Sequence, residues 1–490
     1  MAKSKAKDTK KNTADVGFED QLWNAADVLR GNLDAAEYKN VVLGLIFLKY
    51  LSDRFDERYL ELVAEGYGDE EDRDCYMEQN VFFVPEEARW VNISQAAHTP
   101  EVGQIIDNAM RAIERENDKL KDVLPKNFAR PELDKRRLGD VVDLFTNVQM
   151  TDNESEKDLL GRAYEYCLQK FASMEGKNAG EFYTPSCIVR TLVEILQPFH
   201  GRVYDPCCGS GGMFMQSAGQ ESNPTTWKLA KMNLGIRGIE ADLGNYADTF
   251  SADQHKNEKF DYVLANPPFN LKNWGGEALQ EDVRWKYGMP PTGNANFAWM
   301  QHMIWHLNGT GKIGLVLANG SLSSQTSGEG DIRRAIVEDD LVEGIVAMPG
   351  QLFYSTQIPV CLWILNKKKA QSGKTLFIDA REMGTMVSRK LREFTEEDIN
   401  KVASAFDSFR KGEFEPVKGF SAIADLDEIA KQDFILTPGR YVGIAEVEDD
   451  GEPFDEKMAR LTSEISKCFE ESNRLQEQIK KNLEAIGYGM

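Results

Sequence analysis

The sequence predicts an α/β fold, in which a largely parallel sheet covered by helices follows a helical N-terminal region and precedes one long helix. Five short apolar runs alternate with helical patterns, which is typical of a parallel sheet with helices on both faces. Near the end of the chain, apolar residues recur in steps of three and four over residues 455–486, as in a coiled coil. The five apolar runs are residues 203–206, 260–268, 312–320, 341–349 and 359–365.

Length and composition divide the chain into four predicted segments. Its 490 residues are enough for two to four domains. Because no apolar run approaches 18 residues and the basic N-terminus lacks a signal-peptide core, we expect neither a membrane span nor secretion. The segments are a disordered basic tail (1–13), a helical domain (14–150), the α/β domain (151–445) and a C-terminal helix (446–490).

Charge and cysteine content restrict the function classes. The formal net charge is −22, whereas a protein that grips DNA by itself needs a basic surface for the phosphates. If nucleic acid is the substrate, a local basic cleft or a partner must supply much of the grip. Seven cysteines, an odd number without the spacing of a disulfide framework, predict a reducing cytoplasm.

Two amphipathic patterns predict helices ahead of the sheet. One lies in YKNVVLGLIFLKYLSDRF, within a helical region over residues 14–63, and the other is DLLGRAYEYCLQKFAS over 158–173. Residues on one face of each recur at helical spacing. These residues are Tyr38, Val41, Val42, Leu45, Leu48 and Ser52 in the first helix, and Leu160, Ala163, Tyr164, Cys167 and Phe171 in the second.

A glycine-rich turn follows the first predicted strand, in DPCCGSGGMF (205–214). A strand that ends in Asp205 and leads through glycines into a helix is the general plan of nucleotide-type cofactor sites. Gly209, Gly211 and Gly212 would let the backbone approach a ligand closely. The run matches neither the phosphate-loop pattern nor GxGxxG, so by itself it could also be a tight structural turn.

A second turn, NPPF (266–269), follows the predicted strand FDYVLA. Pro267 and Pro268 cannot continue the hydrogen-bonded ladder, and their fixed φ angles make the exit from the sheet rigid. The turn therefore presents the amide of Asn266, a backbone carbonyl and the ring of Phe269 in a fixed relation. Both turns are expected at carboxyl ends of strands, where ligands bind in open α/β sheets.

The order of GEFYTP (180–185), DPCCGSGG and NPPF resembles the gamma group of S-adenosylmethionine-dependent amino-methyltransferases that act on adenine. The helical N-terminal region, MNLGIRGIE, NFAWMQHMIWHL, GKIGLVLANG and DFILTPGRYVG are similar to the modification (methylase) subunit of type I restriction-modification systems. This resemblance covers about residues 15 to 445 and implies a Rossmann-like methyltransferase domain. It also implies a cytoplasmic enzyme that transfers a methyl group from S-adenosylmethionine to the N6 amine of adenine in a specific DNA site.

The implied chemistry accounts for the residue types. An adenine amine is a poor nucleophile, and positive charge develops on its nitrogen during attack, so two fixed acceptors would stabilise that charge. The resemblance assigns this role to Asn266 and Pro267, with Pro268 holding the turn and Phe269 stacking on a flipped base. No metal is needed. The implied cofactor-binding residues are Glu181, Phe182, Tyr183, Thr184, Pro185, Ser186, Asp205, Gly209, Ser210, Gly211, Gly212, Glu221 and Asp248.

The interval between the glycine turn and Glu221 departs from the family pattern. Only four residues separate GGMF from GQE, where a helix, a loop and a strand normally lie, and no apolar strand is evident before Glu221. Glu240, in IRGIE, follows a better strand candidate and is the alternative carboxylate for the cofactor ribose.

Other chemically suggestive residues have ordinary explanations. His302 and His306 are spaced i, i+4 on a predicted helix, which permits a metal pair, but their apolar neighbours favour core or hydrogen-bonded histidines. Trp274, Trp285 and Tyr287 follow NPPF in a glycine-rich stretch, where a loop near the substrate and ordinary packing are both open.

Three functions remain open at the level of sequence. The first is the DNA methyltransferase subunit, which by resemblance acts with a specificity subunit, typically two modification subunits to one, and with a restriction subunit for cleavage. The second keeps the chemistry but methylates an adenine in RNA or a glutamine amide in protein. The third is a non-catalytic scaffold that binds cofactor or DNA.

The C-terminal helix has two interpretations. Its seam could pack on its own domain or pair with helices of the specificity subunit, and the acidic stretch EVEDDGEP before it resembles a linker. The seam residues are Met458, Leu461, Ile465, Cys468, Ser472, Leu475, Ile479, Asn482 and Ile486.

Overall fold

The computed structural model divides by internal contacts into two units, one ending at Gly443 and the other beginning at Ile444. The predicted tail and most of the predicted helix over 158–173 lie outside the described residues, and the four predicted segment boundaries stay predictions. The structure describes residues 23, 29, 35–147, 164, 166–168, 170–171, 183–213, 217–353, 357–389, 391–444 and 454–485.

The N-terminal region is helical, as predicted. The apolar face expected in the first helix is buried, including Val41, Leu45 and Leu48. Ser52 on the same face accepts the backbone N–H of Trp90 at 2.7 Å, so a buried hydroxyl satisfies the start of a neighbouring helix. The helices are α1 (Ala35–Glu65), α2 (Arg73–Met77), α3 (Trp90–Gln95), α4 (Val102–Glu116) and α5 (Lys135–Thr146).

The α/β region contains all five predicted strands together with shorter ones. Its helices are α6 (Ser186–Leu196), α7 (Pro224–Ile236), α8 (Asn296–His306), α9 (Glu329–Glu338), α10 (Glu396–Lys411) and α11 (Leu426–Lys431). Its strands are β1 (Val203–Asp205), β2 (Ala218–Gly219), β3 (Phe260–Ala265), β4 (Leu307–Ala318), β5 (Val342–Ala347), β6 (Val360–Asn366), β7 (Lys374–Asp379), β8 (Thr385–Met386), β9 (Arg392–Glu393) and β10 (Ser421–Asp425).

One eight-stranded sheet organises this region, in the order β10-β7-β5-β6-β4-β3-β1-β2, while β8 and β9 form a separate hairpin. Strands β6 and β10 pair antiparallel with their neighbours, and the other six run in one direction. The prediction of a largely parallel sheet is therefore confirmed. The carboxyl ends of β1, β3, β4, β5 and β7 all meet at one edge, which we call the carboxyl edge.

Apolar residues fill both faces of the sheet because successive side chains of a strand point to opposite sides. In β3, Val263 and Ala265 belong to a buried cluster with Phe297 of α8, whereas Leu264 packs in a cluster with Leu192 of α6. The central strand is thus held from both sides, and the turn after it leaves a rigid support.

The structure corrects the sequence interpretation around α7. A two-residue strand, β2, pairs parallel with β1 and ends two residues before Glu221. The MNLGIRGIE run belongs to α7 and the turn after it, so the prediction that Glu240 follows a strand is wrong. Asn223 caps α7 by accepting the N–H groups of Thr225 and Thr226, with Pro224 in the first turn. This pairing of Asn and Pro is a helix-start signal.

The second unit contains the helix α12 (Phe454–Ala485). Its described seam residues are exposed, from Met458 and Leu461 to Ile479 and Asn482. Among the described residues of the whole chain, no helix combines the length and the apolar character needed to cross a membrane.

Candidate functional site

The two predicted turns lie side by side at the carboxyl edge. Strands β1 and β3 are parallel neighbours, with Tyr204 opposite Val263, so Asp205 and Asn266 leave the sheet next to each other. A concave site opens between them. Its lining brings together the end of the FYTP segment, the glycine turn and the NPPF turn: Tyr183, Thr184, Asp205, Cys207, Cys208, Gly209, Gly212, Met213 and Asn266.

The glycines of the turn have two different structural reasons. Gly209 and Gly211 have φ angles of 54° and 79°, a left-handed conformation that side chains with a Cβ rarely adopt. Gly212 has no such φ, but a Cβ added there would meet no described atom within 4 Å. Gly212 also lines the concave site.

Glu221 lies against the glycine turn. One carboxylate oxygen accepts the N–H of Gly209 at 3.1 Å, and the other accepts the N–H of Asn223 at 2.7 Å. Glu240 is instead exposed and paired with Lys119 of the N-terminal region. The structure therefore places Glu221, and not Glu240, beside the predicted cofactor turn.

The site concentrates buried negative charge. The side chain of Asp205 is buried and accepts the N–H of Cys207 at 3.1 Å. Burial, with a smaller contribution from the nearby Glu221, raises the pKa of Asp205 to about 7. Burial also raises the pKa of Glu221. Two partly desolvated carboxyl groups in one site favour a ligand that brings positive charge.

In the NPPF turn, one polar atom of the Asn266 amide has a hydrogen-bond partner and the other has none among the described groups. Nδ2 donates to Oγ1 of Thr184 at 3.1 Å, while Oδ1 is buried and accepts no hydrogen bond from any described group. A buried acceptor without a donor can take a hydrogen bond from a ligand or a water molecule. Pro267 is buried and Pro268 is half-buried, and both have fixed φ angles, so the turn cannot relax easily to satisfy Oδ1.

Phe269 and the residue after it are also fixed from outside the motif. The half-buried ring of Phe269 meets the ring of Phe353 edge-on, with centroids 5.6 Å apart and planes at 83°. Asn270, which has a φ of 52°, exchanges two hydrogen bonds with the buried side chain of Asn296: its N–H donates at 3.1 Å and its Oδ1 accepts at 2.9 Å. Phe353 and Asn296 were not predicted from the sequence.

Other supports of the glycine turn were missed as well. The side chain of Asn233, from α7, donates to the carbonyl of Ser210 at 2.9 Å, and the hydroxyl of Thr249 donates to the carbonyl of Pro206 at 2.6 Å. The preceding residue, Asp248, is exposed and accepts the N–H of Phe250 at 3.1 Å. The structure thus uses Asp248 to cap the turn that carries Thr249.

The remaining predicted site residues have different positions. Tyr183 and Thr184 line the site, whereas Pro185 and Ser186 stand at the start of α6. Ser210, within the glycine turn, is buried. Glu181 and Phe182 lie outside the described residues.

The histidines and tryptophans noted in the sequence lie in the core. His302 accepts a hydrogen bond from Arg284 at 3.1 Å, and the two ring nitrogens of His306 face the carbonyl of Glu258 and the carboxylate of Asp253. Asp253, His302 and His306 are close enough to hold a metal ion, but each of these side chains already has hydrogen-bond partners. Trp274 and Trp285 are buried, and both pack near Phe250.

A Rossmann-like sheet with a glycine turn beside an NPPF turn defines the class of amino-methyltransferases. The sequence model of the N-6 DNA methylase family matches residues 155–450, and that of the HsdM N-terminal domain matches residues 18–145. The chain belongs to the N-6 DNA methylase family, as a type I restriction-modification methylase subunit. It is therefore an adenine-specific DNA methyltransferase, as the sequence predicted.

Relatives of this kind match nearly full length. The type I restriction enzyme HindI methylase subunit of Haemophilus influenzae is 49% identical, over 79% of this chain and 93% of its own. The MjaIX methylase subunit of Methanocaldococcus jannaschii is 40% identical, over 96% and 92%. Among solved structures, a type I methyltransferase subunit from Streptococcus thermophilus has a TM-score of 0.74 at 26% identity, covering 87% of this chain and 99% of that one.

Proposed function

We propose that Oδ1 of Asn266 and the backbone carbonyl of Pro267 accept the two N–H bonds of the target adenine amine. The free, buried Oδ1 is the observation that carries this assignment. Positive charge develops on the amine nitrogen as it is methylated, and acceptors fixed in advance stabilise that charge without reorganising. Thr184 keeps the amide in the required orientation by occupying Nδ2.

The cofactor of this reaction is S-adenosylmethionine, and the residues at the carboxyl edge fit it. When bound, it supplies an activated methyl group and carries positive charge on its sulfonium and ammonium groups. Asp205 and the turn of Gly209, Ser210, Gly211 and Gly212 bind the methionine portion. The buried carboxyl group of Asp205, the half-buried carboxyl group of Glu221 and the absence of described atoms around Gly212 support this assignment.

Other residues near β2 and the FYTP segment would hold the rest of the cofactor. Glu221 would hold the ribose hydroxyls in exchange for its hydrogen bond with Gly209, and Asp248 would bind the adenine amine. Tyr183 and Thr184 of the FYTP segment would cover the cofactor. Tyr183 supports this role because it is buried in the lining of the concave site.

The target base reaches the site by leaving the duplex. An enzyme that methylates a base edge needs the base extruded, since the stacked duplex hides the reacting atom. The ring of Phe269, braced edge-on by Phe353, offers a face on which an extruded adenine stacks.

Transfer of a tritiated methyl group separates this function from the two alternatives. The chain, purified with its specificity subunit, is incubated with labelled S-adenosylmethionine and with DNA, RNA or protein from cells that lack this gene. We expect label in DNA only, at N6 of adenine. Label confined to RNA or protein would support the second function. No cofactor binding in calorimetry would support the scaffold.

The charge, the family and the last helix of this subunit support a proposal for its partners. Because the chain has a net charge of −22, a specificity subunit supplies much of the DNA grip. The resemblance to type I methylase subunits implies two modification subunits per specificity subunit and a restriction subunit for cleavage. The seam of α12 docks on helices of the specificity subunit. Exposed Met458, Leu461, Ile465, Leu475 and Ile479 support this, because apolar seams of this spacing pair with other helices.

Deleting residues 453–490 tests the docking helix. We expect the truncated chain to bind S-adenosylmethionine normally but to lose co-purification with the specificity subunit. Normal assembly and methylation by the truncated chain would instead support the interpretation that the helix packs on its own domain. All of these partners act on DNA in the cytoplasm, which is the proposed location. The seven cysteines are free in the structure, consistent with a reducing compartment.

A further inference from the structure

The β8–β9 hairpin (residues 385–393) is a small projection from the carboxyl edge. Strand β7 runs parallel to β5, so the chain leaves the sheet after Asp379 on the same edge as the NPPF turn. The hairpin then pairs Thr385 with Glu393 and Met386 with Arg392. It is outside the main sheet, and nothing in the proposed mechanism uses it.

Two contacts fix the base of the hairpin beside the site. The backbone N–H of Arg392 donates to the carbonyl of Gln351 at 2.8 Å, two residues before Phe353, whose ring braces Phe269. Just after β9, Glu396 forms an ion pair with Arg190 of α6, the helix that begins next to Thr184. The base of the hairpin is therefore joined to the segment that carries Phe353, and the helix that follows the hairpin is joined to α6.

The hairpin tip (residues 386–389) combines exposed apolar and basic side chains. Met386 and Val387 are 42% and 53% exposed, although both are apolar. The tip is a built turn, since the N–H groups of Val387 and Ser388 both donate to the carbonyl of Leu391, at 3.0 and 3.2 Å. The tip therefore presents two neighbouring apolar side chains to a partner.

Charge identifies the occupant of this surface. In the acidic chain, the hairpin (385–393) carries three basic residues, Arg389, Lys390 and Arg392, against one acidic residue, Glu393. Arg381 pairs with Asp379 and Arg392 donates to the carbonyl of Met383. Arg389 is exposed, and within the described part of the chain its side chain pairs with no carboxylate. An exposed guanidinium without a carboxylate partner complements a phosphate.

We propose that the tip of the β8–β9 hairpin contacts duplex DNA at the target adenine. Met386 and Val387 fill the space that the extruded base leaves, and Arg389 binds a flanking backbone phosphate. Apolar side chains inserted between base steps commonly hold a distorted duplex open. This inference rests on the proposed function, because the hairpin has a task only if a base leaves the stack beside Phe269.

The test uses the complex with the specificity subunit and duplexes that carry the site located by methylome sequencing. Met386→Ala/Val387→Ala is compared on a duplex with a paired target adenine and on one whose target adenine faces an abasic position. We expect kcat/KM to fall about tenfold on the first and less than about threefold on the second, because an unpaired base is easier to extrude. Affinity for S-adenosylmethionine stays unchanged.

Arg389→Ala tests the phosphate contact. We expect weaker DNA binding and a slope of log K against log salt concentration that is smaller by about one, as for one lost phosphate contact. Leu426→Ala and Lys374→Ala are matched controls. Both side chains are exposed, and they lie at the opposite edge of the sheet, where β10 ends and β7 begins.

The outcomes separate the two levels of the argument. Equal transfer by the hairpin and control variants would overturn the hairpin inference alone, as would an equal loss on paired and unpaired targets. If the unaltered complex transfers no methyl group to any DNA, the proposed function fails and the hairpin inference fails with it.

Discussion

The glycine turn after β1 and the NPPF turn after β3 are neighbours on one sheet edge but are built on opposite principles. The first depends on backbone freedom, with Gly209 and Gly211 at positive φ, and its carboxylates already bond within the chain. The second depends on rigidity, with two prolines, and leaves Oδ1 of Asn266 without a donor. The glycine turn would exchange hydrogen bonds within the chain for bonds to the cofactor. The NPPF turn already presents an acceptor for the amine.

The difference suggests that the glycine turn sets cofactor affinity and that the NPPF turn sets the rate of transfer. Interactions that exist only when charge develops accelerate transfer, while interactions made with the bound cofactor set its affinity. Substitutions on the two turns should therefore separate into losses of rate and losses of affinity.

Replacing Asn266 by Ala should lower methyl transfer by about 10²- to 10³-fold, the range found when one preorganised group is removed from a charged transition state. Affinity for S-adenosylmethionine should change less than twofold, since Oδ1 acts on the amine. Single-turnover transfer and calorimetry measure the two quantities. Equal losses of transfer rate and cofactor affinity would mean that Asn266 binds the cofactor, and would contradict the proposed difference between the two turns.

Gly212→Val and Gly211→Ala distinguish the two reasons for glycine. The first should weaken cofactor binding by about 10- to 100-fold with little change in melting temperature, because its side chain enters open space in the site. The second should lower stability by roughly 1–2 kcal/mol, the strain of a left-handed conformation. Calorimetry measures the loss of cofactor affinity and thermal unfolding measures the loss of stability. A loss of stability for Gly212→Val would contradict the proposal that Gly212 leaves space for the cofactor.

Glu221→Gln and Glu240→Gln form a matched pair for the ribose carboxylate. We expect about tenfold weaker cofactor binding for Glu221→Gln, roughly 1.4 kcal/mol, close to the lower end of the range for a charged hydrogen bond. Glu240→Gln should have almost no effect, because Glu240 is exposed and pairs with Lys119. Titration calorimetry measures both affinities. A larger loss for Glu240→Gln than for Glu221→Gln would favour Glu240 as the ribose carboxylate.

The smallest effect concerns pH. The pKa of Asp205 is raised to about 7, so the carboxyl group is protonated below that pH and is a poorer partner for a cation. We expect cofactor affinity to rise a few-fold between about pH 6 and 8, and Asp205→Asn to remove this dependence. Affinity that is flat with pH in the unaltered protein would contradict a buried carboxyl at this position.

Stability without cofactor should change in the opposite sense. Because the folded pKa of Asp205 lies above its unfolded value, the native state binds more protons between about pH 4 and 7. The contribution of Asp205 is therefore fully present at the low end of this window and is lost as pH rises through 7. Comparing denaturant unfolding of the unaltered chain and Asp205→Asn across this window isolates that contribution from other carboxylates.

Local patterns predicted the central part of the molecule well. The strands β1 and β3 to β6 were evident as apolar runs, and the turns after β1 and β3 were evident as glycine and proline punctuation. Strand β2 was missed because two small residues, Ala218 and Gly219, carry no periodicity and are extended only because β1 pairs with them. The prediction of a strand before Glu240 was wrong. Asn223 and Pro224 indicate the start of a helix there, and this signal was overlooked.

Sequence by itself determined the features that single residues impose on their own backbone. Proline removes a donor and fixes φ, and glycine permits positive φ, so the rigid NPPF turn and the flexible turn at Gly209 and Gly211 follow from residue type. Only the tertiary structure decided which distant groups meet these turns: Thr184 on Asn266, Asn233 on Ser210, and Glu221 rather than Glu240 beside Gly209. The reason is physical, because a turn depends on local dihedral angles, whereas a contact between distant residues depends on how the whole chain packs.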